Sequence, residues 1–349
     1  MGETERFADL VFEGGGIKGI GLAGAYATLR ERGFTPKGVA GTSAGAIAAA
    51  LVAAGYDATE LDAILREVPF ERFKDKGPED RVPLVGPALS LLLELGVYEG
   101  RFLRDWIAGL LAARGVTRFG QLADPAADNP QHRYRLRVIA SDVTHRRMLV
   151  LPTDAEHLGV DPDEMEIADA VRMSMSIPVF FEPVVHRNPR TGEDHVIVDG
   201  GMLSNFPVWL FDRQEGEPRW PTFGLLLVEP DPKVPIGHRL SGEADLGGGS
   251  VVDYVKSLAL TMMAAHDRLY LEQSTYARTI PIPTLGVGTT EFGITAERAR
   301  ALYESGRRAA SEFLASWDFE AYIETFRRAP APAPSRRDEL RRRYADRPA

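Results

Sequence analysis

Two glycine turns, each placed after a short apolar strand and before a helix, constrain how this chain can fold. The first turn follows a strand predicted over residues 9–13, and the second follows a strand near residues 38–41. Helices are predicted over 17–32 and 46–54, each ending at a glycine. Strand, helix, strand, helix at this spacing predicts parallel strands with right-handed crossovers, so the predicted fold class is α/β.

The second turn has the pattern of a nucleophile elbow. Gly41-Thr42-Ser43-Ala44-Gly45 fits G-x-S-x-G, the sharp turn that lifts a serine hydroxyl clear of the backbone. Flanking glycines are needed because side chains there would collide with the neighbouring strand or helix. The following helix would point its positive N-terminus at Ser43 and favour the alkoxide. Matches of five residues also arise by chance, so the assignment depends on the surrounding sequence.

The first turn, Gly14-Gly15-Gly16-Ile17-Lys18-Gly19, also satisfies G-x-G-x-x-G, a dinucleotide-binding fingerprint. That site needs an acidic residue near the end of the second strand, and residues 34–45 contain none. A phosphate-binding P-loop is excluded because glycine, not Ser or Thr, follows Lys18. Consecutive glycines can instead present backbone N–H groups to an anion. Since the first two strands can be neighbours, we expect this loop to form an oxyanion hole facing Ser43.

An acid at the end of a later strand is the candidate base. His195 opens the strand that reaches Asp199, but four residues of strand span roughly 13 Å, so both side chains cannot serve one catalytic atom. Asp199 is followed by Gly200-Gly201 and ends its strand, at the edge where parallel sheets collect ligands. Asp142 ends another predicted strand, and there a turn or cap role is favoured over catalysis.

Composition narrows the classes of protein. A hydrophobic fraction of 44% and a charged fraction of 26% are typical of soluble globular chains. The net charge of −9 argues against general nucleic-acid binding. The lack of cysteine excludes disulfides, thiolate metal sites and cysteine nucleophiles. Residues 1–6 are unlike a secretory signal, and no apolar run reaches the roughly 18–20 residues of a membrane span. We expect a cytoplasmic protein.

One domain is predicted over 1–326, followed by a tail over 327–349. The tail joins a proline-rich linker to arginine-rich residues and carries a net charge of +5, which leaves −14 for the remainder. We expect a disordered tail; the alternative is a tail that holds an anionic membrane surface. Residues 83–95 are apolar and broken by glycine and proline. A core helix between loops is favoured there over a lid or acyl-chain wall.

The motifs together resemble the signatures of the patatin-like phospholipase family. They are the glycine loop at 14–19, the elbow at 41–45 and Asp199-Gly200-Gly201, in the order and spacing of that family. Segments 172–178 and 205–207 resemble those that flank the aspartate in the family. The resemblance covers about residues 8–210, and Glu13-Gly14 stands where the family often has Asp-Gly. It implies a three-layer α/β/α sandwich with a mostly parallel central sheet.

The resemblance also implies a lipid acyl hydrolase with a Ser43–Asp199 dyad and an acyl-enzyme on Ser43. The implied oxyanion donors are the N–H groups of Gly15 and Gly16, with Ile17 as a further candidate. The implied substrate is a phospholipid, lysophospholipid or other lipid ester, with peripheral membrane contact and no metal or cofactor. An ordinary aspartate pKa of about 3.9 makes a weak base, so alignment, low dielectric and the oxyanion hole must compensate. Lys18 would either attract a phosphate headgroup or lie exposed at the helix start. The alternatives are a lipid-binding module without turnover and an effector triggered by a partner.

Overall fold

A computed structural model describes residues 6–67, 98–127, 129–213, 216–229, 273–289, 291 and 293–328. Eight strands form one sheet. They are β1 (Arg6–Phe12), β2 (Phe34–Thr42), β3 (Leu136–Asp142), β4 (Arg147–Leu151), β5 (Val184–Arg187), β6 (Asp194–Asp199), β7 (Thr222–Val228) and β8 (Thr279–Pro283).

The strand order is β5-β6-β3-β2-β1-β7-β8, and β4 pairs with β3 outside this path. The pairs β1–β2, β2–β3, β1–β7 and β7–β8 are parallel. The pairs β3–β4, β3–β6 and β5–β6 are antiparallel. The centre of the sheet is therefore parallel, and only one side of it is antiparallel. This is a mixed α/β fold with a mostly parallel central sheet flanked by helices, which confirms the predicted fold class.

The described α-helices are α1 (Gly19–Glu31), α2 (Ala44–Ala53), α3 (Ala58–Arg66), α4 (Arg101–Ala113), α5 (Ile167–Ser174), α6 (Gln273–Tyr276), α7 (Ala296–Ser316) and α8 (Phe319–Ile323). The helix predicted over 17–32 begins with a 3₁₀ turn at Gly16–Lys18 before α1. Among the described helices, none combines the length and the apolar character that crossing a membrane requires.

Both faces of the sheet are covered by apolar residues. Leu10 and Phe12 of β1 belong to a large buried cluster that includes residues of α1, α2 and α7. Val11 lies between them in sequence and belongs to a second, smaller cluster, which residues 206–211 help to form. Successive side chains of a strand point to opposite faces, so the continuous apolar run of β1 is what a doubly covered parallel strand requires.

Two sequence predictions concern residues outside the described ranges. They are the apolar segment at 83–95 and the tail from 329 onwards.

Helices α1 and α7 approach closely enough for their backbones to touch. A Cβ on Gly306 would overlap the carbonyl oxygen of Gly21, and one on Gly24 would overlap that of Tyr303. Glycine at these positions lets α7 lie directly on α1, and α1 carries the glycine loop at its N-terminus.

We expect Gly306→Ala to lower the free energy of unfolding by about 1–3 kcal/mol, because the added methyl group forces the two helices apart. Gly109→Ala is the matched control: Gly109 lies in α4, and its Cβ would meet no atom within 4 Å. That change should stabilise the chain by about 0.5–1 kcal/mol through helix propensity. Denaturant unfolding of both variants measures the difference, and equal stabilities would contradict the close helix contact.

Candidate active site

Ser43 lies at the junction of β2 and α2 in the conformation expected of a nucleophile elbow. Its φ of 54° is left-handed, which is strained for a residue with a Cβ. The backbone N–H of Ser43 donates to Ser174 Oγ at 2.9 Å. A Cβ on Gly45 would overlap the carbonyl oxygens of Phe12 and Glu13, so glycine is required there. The local geometry agrees with the predicted turn, and the serine is almost completely buried.

The glycine loop lies directly beside this serine. Strand β1 pairs with β2 in parallel register, with Phe12 opposite Gly41, so the turns after both strands emerge at one edge of the sheet. A methyl group on Gly14 would lie only 3.0 Å from Cβ of Ser43. The structure therefore brings the two predicted motifs together.

The backbone N–H groups of the loop divide into two sets. Four of them donate within the protein: Gly14 to Asn205 O, Ile17 to Thr289 O, Lys18 to Gly15 O, and Gly19 to Gly16 O and Ile17 O. Within the described residues, the N–H groups of Gly15 and Gly16 have no acceptor. The predicted oxyanion hole over 14–19 thus narrows to two donors, whose role stays a prediction.

Glu13 and Asn205 hold the loop in place. The Asn205 side-chain amide donates to Gly14 O at 3.1 Å and to Glu13 Oε1 at 3.2 Å. The other carboxylate oxygen of Glu13 accepts the backbone N–H of Leu227 in β7. Glu13 thus ties the glycine loop to the neighbouring strand. In the sequence, residues 205–207 are recognisable only as a family-like segment, and the contacts of Asn205 are not predictable from its neighbours.

Lys18 is buried, and the expectation of an exposed lysine at the helix start was wrong. Its side chain is 2% exposed, because α1 begins against the sheet edge rather than in solvent. Burial lowers the pKa of the Lys18 ammonium, while the negative charges of Glu13 and Glu229 act in the opposite direction.

Asp199 ends β6 with its carboxyl group fully buried. Oxygen Oδ1 accepts the backbone N–H of Gly201 at 2.8 Å, and Oδ2 has no hydrogen-bond partner in the described part of the chain. Burial raises the pKa of Asp199 to about 7, against the opposing effects of the Gly201 N–H and the nearby Ser43 hydroxyl. Burial thus makes Asp199 a stronger base than an ordinary aspartate, an effect that the sequence alone does not predict.

The Ser43 hydroxyl lies close enough to Asp199 to influence its pKa, but its hydrogen bond goes elsewhere. It donates to Met175 Sδ at 3.6 Å, a weak interaction with a thioether. Asp199 is itself positioned from the same segment, because its backbone N–H donates to Ser176 O at 2.9 Å. The residues just after α5 therefore touch both members of the predicted dyad.

Arg172 of α5 hydrogen-bonds the segment after α5 and other parts of the chain. Its guanidinium donates to Ser176 Oγ at 2.6 Å and to Glu182 O at 2.9 Å. It also donates to Glu99 O, just before α4. A buried guanidinium with several carbonyl and hydroxyl acceptors holds chain segments that are far apart in sequence. In the sequence, Arg172 is only the first residue of a family-like segment. Its hydrogen-bond acceptors are not predictable, because two of them, Glu99 and Glu182, lie outside that segment.

Asp142 has the turn role that the sequence favoured, and it binds two histidines as well. Its Oδ1 accepts the N–H groups of Thr144 at 3.0 Å and His145 at 3.2 Å. Its Oδ2 accepts from Nδ1 of His195 at 2.9 Å and of His145 at 3.0 Å. Although burial opposes it, these hydrogen bonds hold the pKa of Asp142 below its usual value. His195 is thus engaged with Asp142.

Asp142, His145 and His195 form the group with metal-ligand spacing within the described ranges. Their contacts are hydrogen bonds that join Asp142 Oδ2 to the Nδ1 atoms of both histidines. The Asn188 side-chain oxygen accepts the N–H of Arg190 at 2.9 Å, so its NH₂ faces Nε2 of His195 at 3.5 Å. This orientation of the Asn188 amide favours the tautomer of His195 that carries its proton on Nδ1, the atom that faces Asp142.

Comparison with known proteins agrees with this architecture. The family model for patatin-like phospholipases matches residues 10–212. The chain belongs to the patatin-like phospholipase family. Family membership supports lipid hydrolysis as its general class of activity.

Two relatives and one solved structure illustrate the range of similarity. The uncharacterised protein YqhO of Bacillus subtilis (strain 168) is 39% identical over 313 residues, which cover 90% of this chain and all of the relative. The NTE family protein MT2641 of Mycobacterium tuberculosis is 29% identical over 58% of this chain and 27% of its own length. The crystal structure of VipD from Legionella pneumophila shares the fold, with a TM-score of 0.51 at 19% identity, over 90% of this chain and 67% of VipD.

The buried carboxyl group of Asp199 should make stability depend on pH. Its pKa is about 7 in the folded protein and about 3.9 when unfolded, so the unfolded state loses the proton first as pH rises. Stability therefore falls between about pH 4 and 7. Asp199→Asn should remove this fall and be more stable than wild type above about pH 7, by on the order of 2–4 kcal/mol.

Thermal unfolding across that pH range measures the effect. Asp105→Asn, which removes the carboxyl group of an exposed aspartate, serves as the control. A wild type and an Asp199→Asn variant with parallel pH profiles would show that the carboxyl group is not buried as described.

Proposed function

We propose that this protein is a lipid acyl hydrolase in which Ser43 and Asp199 form a catalytic dyad. The observation that carries the proposal is a buried carboxyl group with a pKa of about 7, whose Oδ2 has no hydrogen-bond partner among the described residues, close to a serine on a strained turn. A base with a pKa near the working pH is well matched for taking a proton. The substrate is a phospholipid, lysophospholipid or other lipid ester.

The reaction begins when the Ser43 side chain turns from Met175 Sδ towards Asp199. The present hydrogen bond is a weak one to sulfur, so little is lost in this rotation. Ser43 Oγ then attacks the ester carbonyl carbon while Asp199 Oδ2 takes the hydroxyl proton. Catalytic hydrogen bonds are commonly loose before substrate binds and shorten in the complex.

The negative charge that develops on the carbonyl oxygen is received by the N–H groups of Gly15 and Gly16. One such donor is worth about 2.7–4 kcal/mol of transition-state stabilisation. Helix α1 begins at Gly19, and its positive N-terminal end adds to the field at the loop. Glu13 and Asn205 keep these donors in place before substrate arrives, which avoids reorganisation during the reaction.

The tetrahedral intermediate collapses to an acyl-enzyme on Ser43 as the leaving alkoxide takes the proton from Asp199. Water then attacks the acyl-enzyme and gives its proton to Asp199. The second tetrahedral intermediate releases the fatty acid and returns the proton to Ser43. Asp199 thus carries the proton in both halves of the reaction, acylation and deacylation.

Mutation of either dyad residue should abolish hydrolysis of a fluorogenic short-chain ester, phosphatidylcholine and lysophosphatidylcholine. We expect Ser43→Ala and Asp199→Asn each to lower kcat by at least about 10³-fold. Ser311→Ala, in α7, is the control and should keep wild-type activity. A fully active Ser43→Ala would show that the nucleophile is misassigned. A wild type that binds lipid without hydrolysing any of these esters would favour the lipid-binding module.

The pKa of Asp199 predicts the pH dependence of the reaction. Since the carboxylate form is the base, kcat/KM for a soluble ester should rise with pH and level off above about pH 7. Initial rates measured at subsaturating ester between about pH 5 and 9 give this profile. An activity already constant at the acidic end would contradict the raised pKa or the role of Asp199 as base.

A further inference from the structure

The turn between β3 and β4 extends from the same edge of the sheet as Ser43. Strands β2 and β3 are parallel, with Thr42 opposite Ile139. Strand β3 continues to Asp142, three residues further, which corresponds to about 10 Å at roughly 3.3 Å per residue. The turn that follows therefore protrudes beyond the level of the Ser43 elbow.

This turn, residues 143–147, is basic and partly apolar, and we call it the basic turn. Residues 143–146 are all exposed, and Val143 is among the most exposed large apolar side chains in the described part of the chain. Arg146 forms no ion pair with any described residue. Residues 143–147 include no acid, and they present His145, Arg146 and Arg147.

Hydrogen bonds to the buried Asp142 carboxylate fix the conformation of the basic turn. Asp142 accepts the N–H groups of Thr144 and His145 and the imidazole of His145, while its own carboxylate is completely buried. Arg147 lies 3.7 Å from the same carboxylate. The negative charge of Asp142 is thus directed inward to these partners, and Arg146 is left to face solvent. A preordered turn loses little conformational entropy on binding.

A second exposed apolar side chain lies near the basic turn. The N–H of Val143 donates to Val196 O in β6, and Val196 is paired with Val185 in β5. Val185 is exposed, and two strand spacings separate it from Val143, roughly 10 Å. Two exposed valines beside an exposed arginine that has no ion pair among the described residues suit contact with a partner that is both apolar and anionic.

We propose that the basic turn binds the surface of an anionic lipid bilayer and orients the Ser43 edge of the sheet towards it. This inference rests on the proposed function, because a lipid hydrolase must present its site to the surface that holds its substrate. The chain carries a net charge of −9, so approach to an anionic surface requires a local cationic contact. Each arginine at such a surface strengthens binding about fivefold, and salt screens the effect.

The test compares two arginines of equal charge at opposite edges of the sheet. Arg146 has a left-handed φ of 54°, so Arg146→Asn removes the charge with a residue that accepts this conformation. Arg32→Asn is the matched control, since Arg32 follows the C-terminal end of α1. Both changes are made in the full chain carrying Ser43→Ala, which prevents hydrolysis during the measurement. Co-sedimentation uses vesicles of phosphatidylcholine with and without phosphatidylglycerol.

We expect Arg146→Asn to weaken binding to the phosphatidylglycerol vesicles about fivefold and Arg32→Asn to leave it unchanged. Equal binding by both variants and their parent, or an equal loss in both, would overturn the proposal. Hydrolysis of a soluble ester is measured separately with Ser43 intact and should be the same for Arg146→Asn and wild type. A wild type inactive on the ester would refute the proposed function, whereas the vesicle comparison alone decides the role of the basic turn.

Discussion

Parallel pairing of β1 with β2 places Phe12 opposite Gly41, and the whole candidate site depends on this register. Because both strands run in the same direction, the glycine loop and the serine elbow leave the sheet at one edge. The elbow packs so tightly there that only glycine fits at position 45, against the carbonyl oxygens at the end of β1. A slip of one residue would separate the loop from Ser43 and turn every side chain of the strand to the other face.

Around this pairing, the protein maintains groups in states that cost free energy. Ser43 has a left-handed backbone, Asp199 is fully buried with a raised pKa, and burial lowers the pKa of Lys18. Such features persist only where the surrounding structure over-determines them. Here the support comes from the doubly covered sheet, from Glu13 and Asn205 under the loop, and from Arg172 behind Ser176. These features are what a hydrolytic site would require: a poised nucleophile, a base of raised pKa and free N–H donors.

The antiparallel side of the sheet places His195 beside Asp142 rather than beside Asp199. Asp142 and His195 face each other because β3 and β6 run in opposite directions, with Asp142 opposite Ile197 and Ala140 opposite Asp199. The length of the strand between His195 and Asp199 predicts that their side chains cannot serve one catalytic atom. The hydrogen bond from His195 to Asp142 is consistent with this prediction. Asp142 also accepts hydrogen bonds from the turn that exposes Arg146. One carboxylate therefore holds both the buried His195 and the exposed turn in place.

The sequence by itself determined the α/β class, the parallel start of the sheet, the elbow at Ser43 and the position of Asp199 at a strand end. These are local properties: glycine spacing and apolar periodicity are readable because backbone conformation depends on neighbouring residues. Only the tertiary structure decided that Lys18 is buried, that the N–H groups of Gly15 and Gly16 find no acceptor among the described residues, and that the pKa of Asp199 rises to about 7. Each of these depends on burial or on distant partners such as Thr289 and Asn205, because desolvation and hydrogen-bond satisfaction are set by what packs around a group rather than by its sequence neighbours.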